Sequence, residues 1–207
     1  MPTRSFRQLV FALGLLLYAA ALAAAPRTLV VLGDSLSSAY GMDVAQGWVR
    51  LLATRIQREG YDWRVINASV SGETTGGGLS RLHSVLATQD PALVIIALGG
   101  NDGLRGLSTE QMQANLFAMV DAARTRGVKV LLVGLRMPPN YGPAYTRRFE
   151  QVYHEVARQR GVPLVPYLLR GVDDKGALMQ ADRIHAAPAA QPIMLDNVWP
   201  VLRPLLR

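Results

Sequence analysis

From Thr28 onward, short unbroken apolar runs alternate with stretches whose apolar residues recur at helical spacing, and glycine or proline marks the junctions. The runs Thr28–Leu32 (TLVVL), Arg64–Ala68 (RVINA), Leu93–Leu98 (LVIIAL), Val128–Val133 (VKVLLV) and Val162–Val165 (VPLV) are β-branched-rich and too short for helices, so they are predicted as strands. Between them, Trp48, Leu51, Leu52, Arg55 and Ile56 trace one face of a helix that Gly60 ends. A second helix is predicted over Leu79–Ala87. A third starts at Ser108, whose S-x-x-Q spacing to Gln111 has the form of a capping box, with Met112, Leu116, Met119, Val120 and Ala123 as its apolar stripe. A fourth runs from about Tyr145 to Arg160. The last begins near Pro188, a residue suited to a first helical turn.

This alternation defines the α/β class: a parallel sheet whose continuous apolar strands are covered by helices on both faces. Neither an internal repeat nor a linker interrupts it, and 207 residues suit one domain. In such sheets ligands bind at the carboxyl ends of the strands. The loops after the first three strands are therefore where chemistry is expected.

The first 25 residues do not belong to the alternation. Arg4 and Arg7 precede an apolar run from Leu9 to Leu22, and small residues follow up to Ala25, which is the layout of a secretory signal peptide. The run is short for a bilayer span, which needs about 20 apolar residues. The expectation is a cleaved signal over residues 1–25, a domain over 26–207, periplasmic or secreted localisation and no stable membrane insertion after cleavage. Removing Arg4 and Arg7 lowers the formal net charge from +7 to +5. The remaining cations, all arginine except Lys129 and Lys175, are interleaved with acids and form no basic arm. That pattern is a solvated surface, and no nucleic-acid partner is expected.

Cysteine is absent, which excludes a disulfide framework, a thiolate zinc site and a thiol nucleophile. Three strand-end loops and one C-terminal segment carry polar residues in suggestive order: Gly33-Asp-Ser35-Leu-Ser, Asn67-Ala-Ser-Val-Ser-Gly72-Glu-Thr, Gly99-Gly-Asn101-Asp-Gly and Asp182-Arg-Ile-His185. Acyl transfer needs a nucleophile, a base oriented by an acid, and donors aimed at the developing oxyanion. Without cysteine, Ser35 is the natural nucleophile, placed by a glycine turn at the end of the first strand. Its own N–H, the Gly72 N–H and the Asn101 side chain are candidate oxyanion donors. His83 and His154 fall within helical stretches, and His154-Glu155 has no second ligand at the spacing of a metallopeptidase. That leaves His185 as base, with Asp182 three residues earlier able to accept its Nδ1–H. Asp34 and Asp102 are read as turn aspartates that bond nearby amides.

Together, the blocks GDSL at 33–36, NASVSGET at 67–74, LGGNDGLRG at 98–106 and PNYG at 139–142 resemble the SGNH (GDSL) hydrolase superfamily over essentially the whole mature chain. They look most like its periplasmic thioesterase I/protease I/lysophospholipase subgroup, often labelled arylesterases. The resemblance implies a three-layer flavodoxin-like domain with a five-stranded parallel sheet of order 2-1-3-4-5, a Ser35/Asp182/His185 triad, and an oxyanion hole of Ser35, Gly72 and Asn101. It implies hydrolysis of acyl thioesters, aryl esters and lysophospholipids without metal or cofactor. The expected partner is a small-molecule acyl ester or thioester, lysophospholipid included, and a monomer is expected. One departure stands out: Arg183 and Ala186 occupy positions where the subgroup has glycine and proline, D-G-I-H-P.

Leu104, Leu107, Met137 and Pro138 follow strand ends on the site face and are expected to wall an acyl-chain groove, to which methionine adapts its shape. Two other functions stay open at this point. One is a carbohydrate O-acetyl esterase using the same machinery. The other is a non-catalytic flavodoxin-like protein that binds a small ligand at the strand ends, a role for which Asp182 and His185 would be unnecessary.

Overall fold

The computed structural model describes residues 25–207; the signal segment expected over residues 1–25 lies, but for Ala25, outside the described residues. Five strands, β1 (Arg27–Gly33), β2 (Trp63–Asn67), β3 (Leu93–Ala97), β4 (Lys129–Val133) and β5 (Leu164–Val165), form one sheet. All neighbours are parallel and the order is β2-β1-β3-β4-β5, so the chain reverses its direction of travel across the sheet at β1. Leu29 to Leu32 and Leu93 to Ile96 are fully buried, as continuous apolar strands must be when helices cover both faces.

On one face α1 (Trp48–Arg58) packs against α6 (Gln191–Leu202). On the other, α2 (Thr75–Gln89), α4 (Thr109–Thr125) and α5 (Pro143–Arg160) lie side by side. The short α3 (Gly100–Leu104) connects β3 to α4. Burial of Trp48, Leu52 and Ile56 on α1, and of Met112, Leu116, Met119, Val120 and Ala123 on α4, follows the stripes visible in the sequence.

Four local features differ from the sequence expectation, each for a physical reason. Helix α2 starts at Thr75, four residues before Leu79, because the Thr74 hydroxyl caps it by accepting the Gly77 N–H at 3.2 Å. Its glycines are poor helix formers, yet Gly78 is required to be small: a Cβ there would overlap the Leu98 side chain. Residues 100–104, expected as loop, form α3. The capping box at α4 is only half made. Ser108 Oγ accepts the Gln111 N–H at 3.3 Å, but the Gln111 side chain turns away to donate to Asn115 Oδ1 at 3.0 Å. Finally, β5 begins two residues late, since Pro163 has no N–H for the ladder.

Candidate active site

The carboxyl end of β1 runs directly into a tight turn. Gly33 allows it: a Cβ at this position would sit 2.8 Å from Ser37 Oγ and 2.9 Å from Ser69 Oγ. Asp34, 2% exposed, then organises the turn, its Oδ1 accepting the Leu36 N–H at 3.0 Å and its carbonyl accepting the Ser37 and Ser38 N–H groups. Burial pushes its carboxyl up to about 6, opposed by the Leu36 N–H and, when His185 is protonated, by the imidazolium charge. Ser35 is left at the strand end, partly exposed.

His185, the candidate base, arrives from the other end of the chain on a small hairpin. The Gln180 N–H donates to the His185 carbonyl and the Ala187 N–H to the Leu178 carbonyl, both at 2.7 Å, with Met179 and Ala186 paired between them. At its tip the Arg183 N–H donates to the Gln180 carbonyl, and Arg183 itself takes φ +57°. This is a turn followed by a left-handed residue, a position where glycine fits without strain. Arg183 thus adopts the backbone that a glycine would favour.

Within that tip Asp182 makes three bonds to the segment that follows it. Oδ1 accepts the Ile184 and His185 N–H groups, each at 3.0 Å, and Oδ2 lies 2.6 Å from His185 Nδ1. The backbone N–H of His185, its ring and the Ile184 N–H, in that order, hold the Asp182 carboxyl down at about 2. An ionised carboxylate only accepts, so Nδ1 carries the proton and Nε2 is free to accept. His185 Nε2 lies 2.9 Å from Ser35 Oγ. The serine hydroxyl, the imidazole and the carboxylate thus form one continuous hydrogen-bonded line. His83 and His154, in contrast, are exposed on α2 and α5.

Two further loops close on Ser35. The Gly72 loop is drawn to β1 by the Val70 N–H, which donates to the Gly33 carbonyl at 3.0 Å, and by a 2.8 Å contact between the Ser38 and Ser71 hydroxyls. Gly72 has φ +79°, which favours glycine. Asn101, at the start of α3, donates its side-chain amide to the Glu73 carbonyl at 3.0 Å and reaches Asp34 Oδ2 at 3.4 Å. Among the described residues, the N–H groups of Ser35 and Gly72 have no hydrogen-bond partner. Arg105 and Arg81 are supports that sequence reasoning did not single out. Arg105 donates to the Gly72 carbonyl at 2.8 Å, and Arg81 binds the Glu73 carboxylate and the Ala68 carbonyl. Isolated arginines, Arg105 in the turn after α3 and Arg81 on α2, carry no sequence signal for such a role.

Asp102 faces away from this cluster and is buried. Its two oxygens accept the N–H and the hydroxyl of Thr75, fastening α3 to the start of α2. Next to the Ser35 turn lies a cavity of about 410 Å³ that reaches Leu36 and Ile184, the chain neighbours of Ser35 and His185, and is walled further by Leu104, Met137, Pro138 and Tyr167 among others. Leu107 stands off this wall and is 43% exposed, because its loop is held instead by its carbonyl, which accepts the Tyr145 hydroxyl at 2.9 Å. Met137 belongs to wall and core at once, since it is 9% exposed and fills the space left by Gly103.

A parallel sheet of this order, with serine, histidine and aspartate aligned at its carboxyl edge, defines an ester hydrolase of the SGNH type. Residues 31–191 match the GDSL-like lipase/acylhydrolase family, and the chain belongs to it. It is 57% identical over 183 residues to the esterase TesA of Pseudomonas aeruginosa, covering 88% of this chain and 91% of that protein. It is 39% identical over 184 residues to the thioesterase 1/protease 1/lysophospholipase L1 of Escherichia coli K12, covering 89% and 87%. The crystal structure of the psychrotrophic esterase EstA from Pseudoalteromonas sp., inhibited by monoethylphosphonate, superposes with a TM-score of 0.83 at 38% identity, covering 87% of this chain and 98% of that one.

Proposed function

We propose that the protein hydrolyses carboxylic esters and thioesters through a Ser35–His185–Asp182 triad and an acyl-enzyme intermediate. The observation that carries this reading is the line of contacts from Ser35 Oγ through His185 to Asp182, at 2.9 and 2.6 Å. Ser35 Oγ attacks the acyl carbon while its proton passes to His185 Nε2, and the carboxylate of Asp182 stabilises the imidazolium. The Ser35 and Gly72 N–H groups and the Asn101 amide receive the oxyanion. The imidazolium then protonates the leaving alkoxide or thiolate, the acyl-enzyme remains, and water activated by the same histidine releases the acid. Every group this sequence uses comes from the chain itself, so the reading needs neither metal nor cofactor.

The cavity beside Ser35 supports acyl chains longer than acetyl, with Leu104, Met137 and Pro138 on its walls, and this favours lipid-like esters over carbohydrate acetates. The resemblance to a thioesterase 1/protease 1/lysophospholipase L1 supports thioesters and lysophospholipids among the substrates. The exported state belongs to the same reading, carried by the signal-like residues 1–25. Among the described residues, no helix is long and apolar enough to cross a membrane.

Ser35→Ala tests the proposal. Folded variant protein is expected to lose p-nitrophenyl ester and acyl-thioester hydrolysis by several orders of magnitude. Undiminished hydrolysis would remove the triad.

A further inference from the structure

Tyr40 is a large side chain left 50% exposed five residues after the nucleophile. Its hydroxyl has no hydrogen-bond partner among the described residues, so neither core packing nor a polar bond explains where it stands. Its ring lies against His185, with centroids 4.5 Å apart and planes inclined by 37°. Considerable local structure is spent on that contact. Tyr40 is bracketed by two left-handed residues, Ala39 at φ +62° and Gly41 at φ +73°, and the first is not a glycine. The Tyr40 N–H donates to the Ser35 carbonyl at 3.3 Å, fixing the ring's loop to the nucleophile's turn.

Gln180 secures the other side. Its side-chain amide donates to the Tyr40 carbonyl at 2.8 Å and to the Ala186 carbonyl at 3.1 Å, while its backbone N–H donates to the His185 carbonyl at 2.7 Å. Gly41 permits this approach, because a Cβ there would overlap the Gln180 carboxamide. One glutamine thereby ties the loop of the nucleophile to the loop of the base, and the aromatic ring is the part of that tie that touches the imidazole.

We propose that Tyr40 is a positioning residue for His185, its ring holding the imidazole in line between Ser35 and Asp182 and its π face stabilising the imidazolium. An aromatic face within about 6 Å of a cation is attractive, and this ring is half-buried with its centroid 4.5 Å from that of the imidazole. The inference rests on the triad reading. Because that reading forms the imidazolium in both acylation and deacylation, loss of the ring slows both steps alike and leaves KM, which depends on their ratio, unchanged.

The test is steady-state and burst kinetics on p-nitrophenyl esters with Tyr40 replaced by Phe, Leu and Ala, alongside Ser35→Ala and thermal melts. Tyr40→Phe is expected to keep kcat within about twofold, whereas Tyr40→Ala loses about tenfold in both the burst and the steady state at unchanged KM. Tyr40→Leu, which refills the volume without a π face, is expected to fall between them, and it carries the test should the alanine variant fail to fold. Leucine as active as phenylalanine overturns the aromatic role. A defect that appears in KM, or that scales with the leaving group, places Tyr40 against substrate instead and also overturns it. If Ser35→Ala is inert but Tyr40→Ala is as fast as the parent, this inference alone fails; if Ser35→Ala retains hydrolysis, the triad reading fails.

Discussion

Asn101 Nδ2 donates to the backbone carbonyl of Glu73 at 3.0 Å, so the side chain proposed as one oxyanion donor also fastens the loop that presents another, Gly72. The two donors are consequently not independent. Asn101→Ala is expected to lower kcat by about 10²–10³ with little change in KM. Gly72→Ala, which forces a Cβ onto a φ of +79°, is expected to act on the same loop. A double-mutant cycle on p-nitrophenyl acetate should find the combined loss smaller than the product of the single losses. Strictly multiplicative effects would mean that the Asn101–Glu73 bond transmits nothing.

Asp102 is expected to behave differently although it adjoins Asn101 in sequence. Its carboxylate accepts both the N–H and the hydroxyl of buried Thr75, whose hydroxyl oxygen in turn accepts the Asn115 amide at 3.0 Å. Asp102→Ala strands these donors and should cost about 2–4 kcal/mol, read as a lower urea midpoint at unchanged slope. A loss of kcat as large as that of Asn101→Ala, measured where the variant is still folded, would instead give Asp102 a place in the chemistry.

The contrast shows what the sequence makes legible. Continuous apolar runs such as LVIIA and the stripe of α4 report burial directly, and burial decided the sheet and its covering helices. The glycine-rich stretches read poorly because propensity and packing disagree there. Gly76 to Gly78 look like loop, yet they are helical, since Gly78 sits against Leu98 and Thr74 caps the turn. At the candidate site, Ser35, Asp182 and His185 could be proposed from the sequence because acyl transfer demands those residue types, and they lie in one hydrogen-bonded line. Tyr40, Gln180 and Arg105 could not, because their contacts depend on how loops far apart in the chain meet.

Asp34 should leave a signature in the pH dependence of stability. Burial raises its carboxyl from 3.8 to about 6, so between about pH 4 and 6 the folded chain keeps a proton that the unfolded chain has released. Stability contributed by this group is therefore fully present at the acid side of that window and falls as pH rises through it, by up to about 3 kcal/mol. Asp182 has the opposite sign. Held down at about 2, its contribution is present above the unfolded value of 3.8 and is lost as pH falls through about 2. The windows do not overlap, so urea unfolding between pH 4 and 7 separates Asp34 from Asp182, and comparison with Asp34→Asn separates it from the other groups that titrate there. Asp34→Asn is expected to flatten the slope there, and an unchanged slope would assign the pH dependence to another group.

Met137 faces the core beside Gly103 and lines the cavity proposed to take the acyl chain, which makes two separable effects of its removal measurable. Met137→Ala should lower stability by about 2–5 kcal/mol, the usual range for a buried methionine, because Gly103 cannot fill the space it leaves. The same truncation deepens a cavity of about 410 Å³ that begins beside Ser35. Each further methylene of substrate that the enlarged space buries is worth about 0.8 kcal/mol, or roughly fourfold in kcat/KM. Across p-nitrophenyl esters from acetate to laurate, the optimum is therefore expected to shift toward longer chains while acetate hydrolysis stays close to the parent rate. If the chain-length profile keeps its shape while stability drops, Met137 is a core residue alone, and the acyl chain follows another wall.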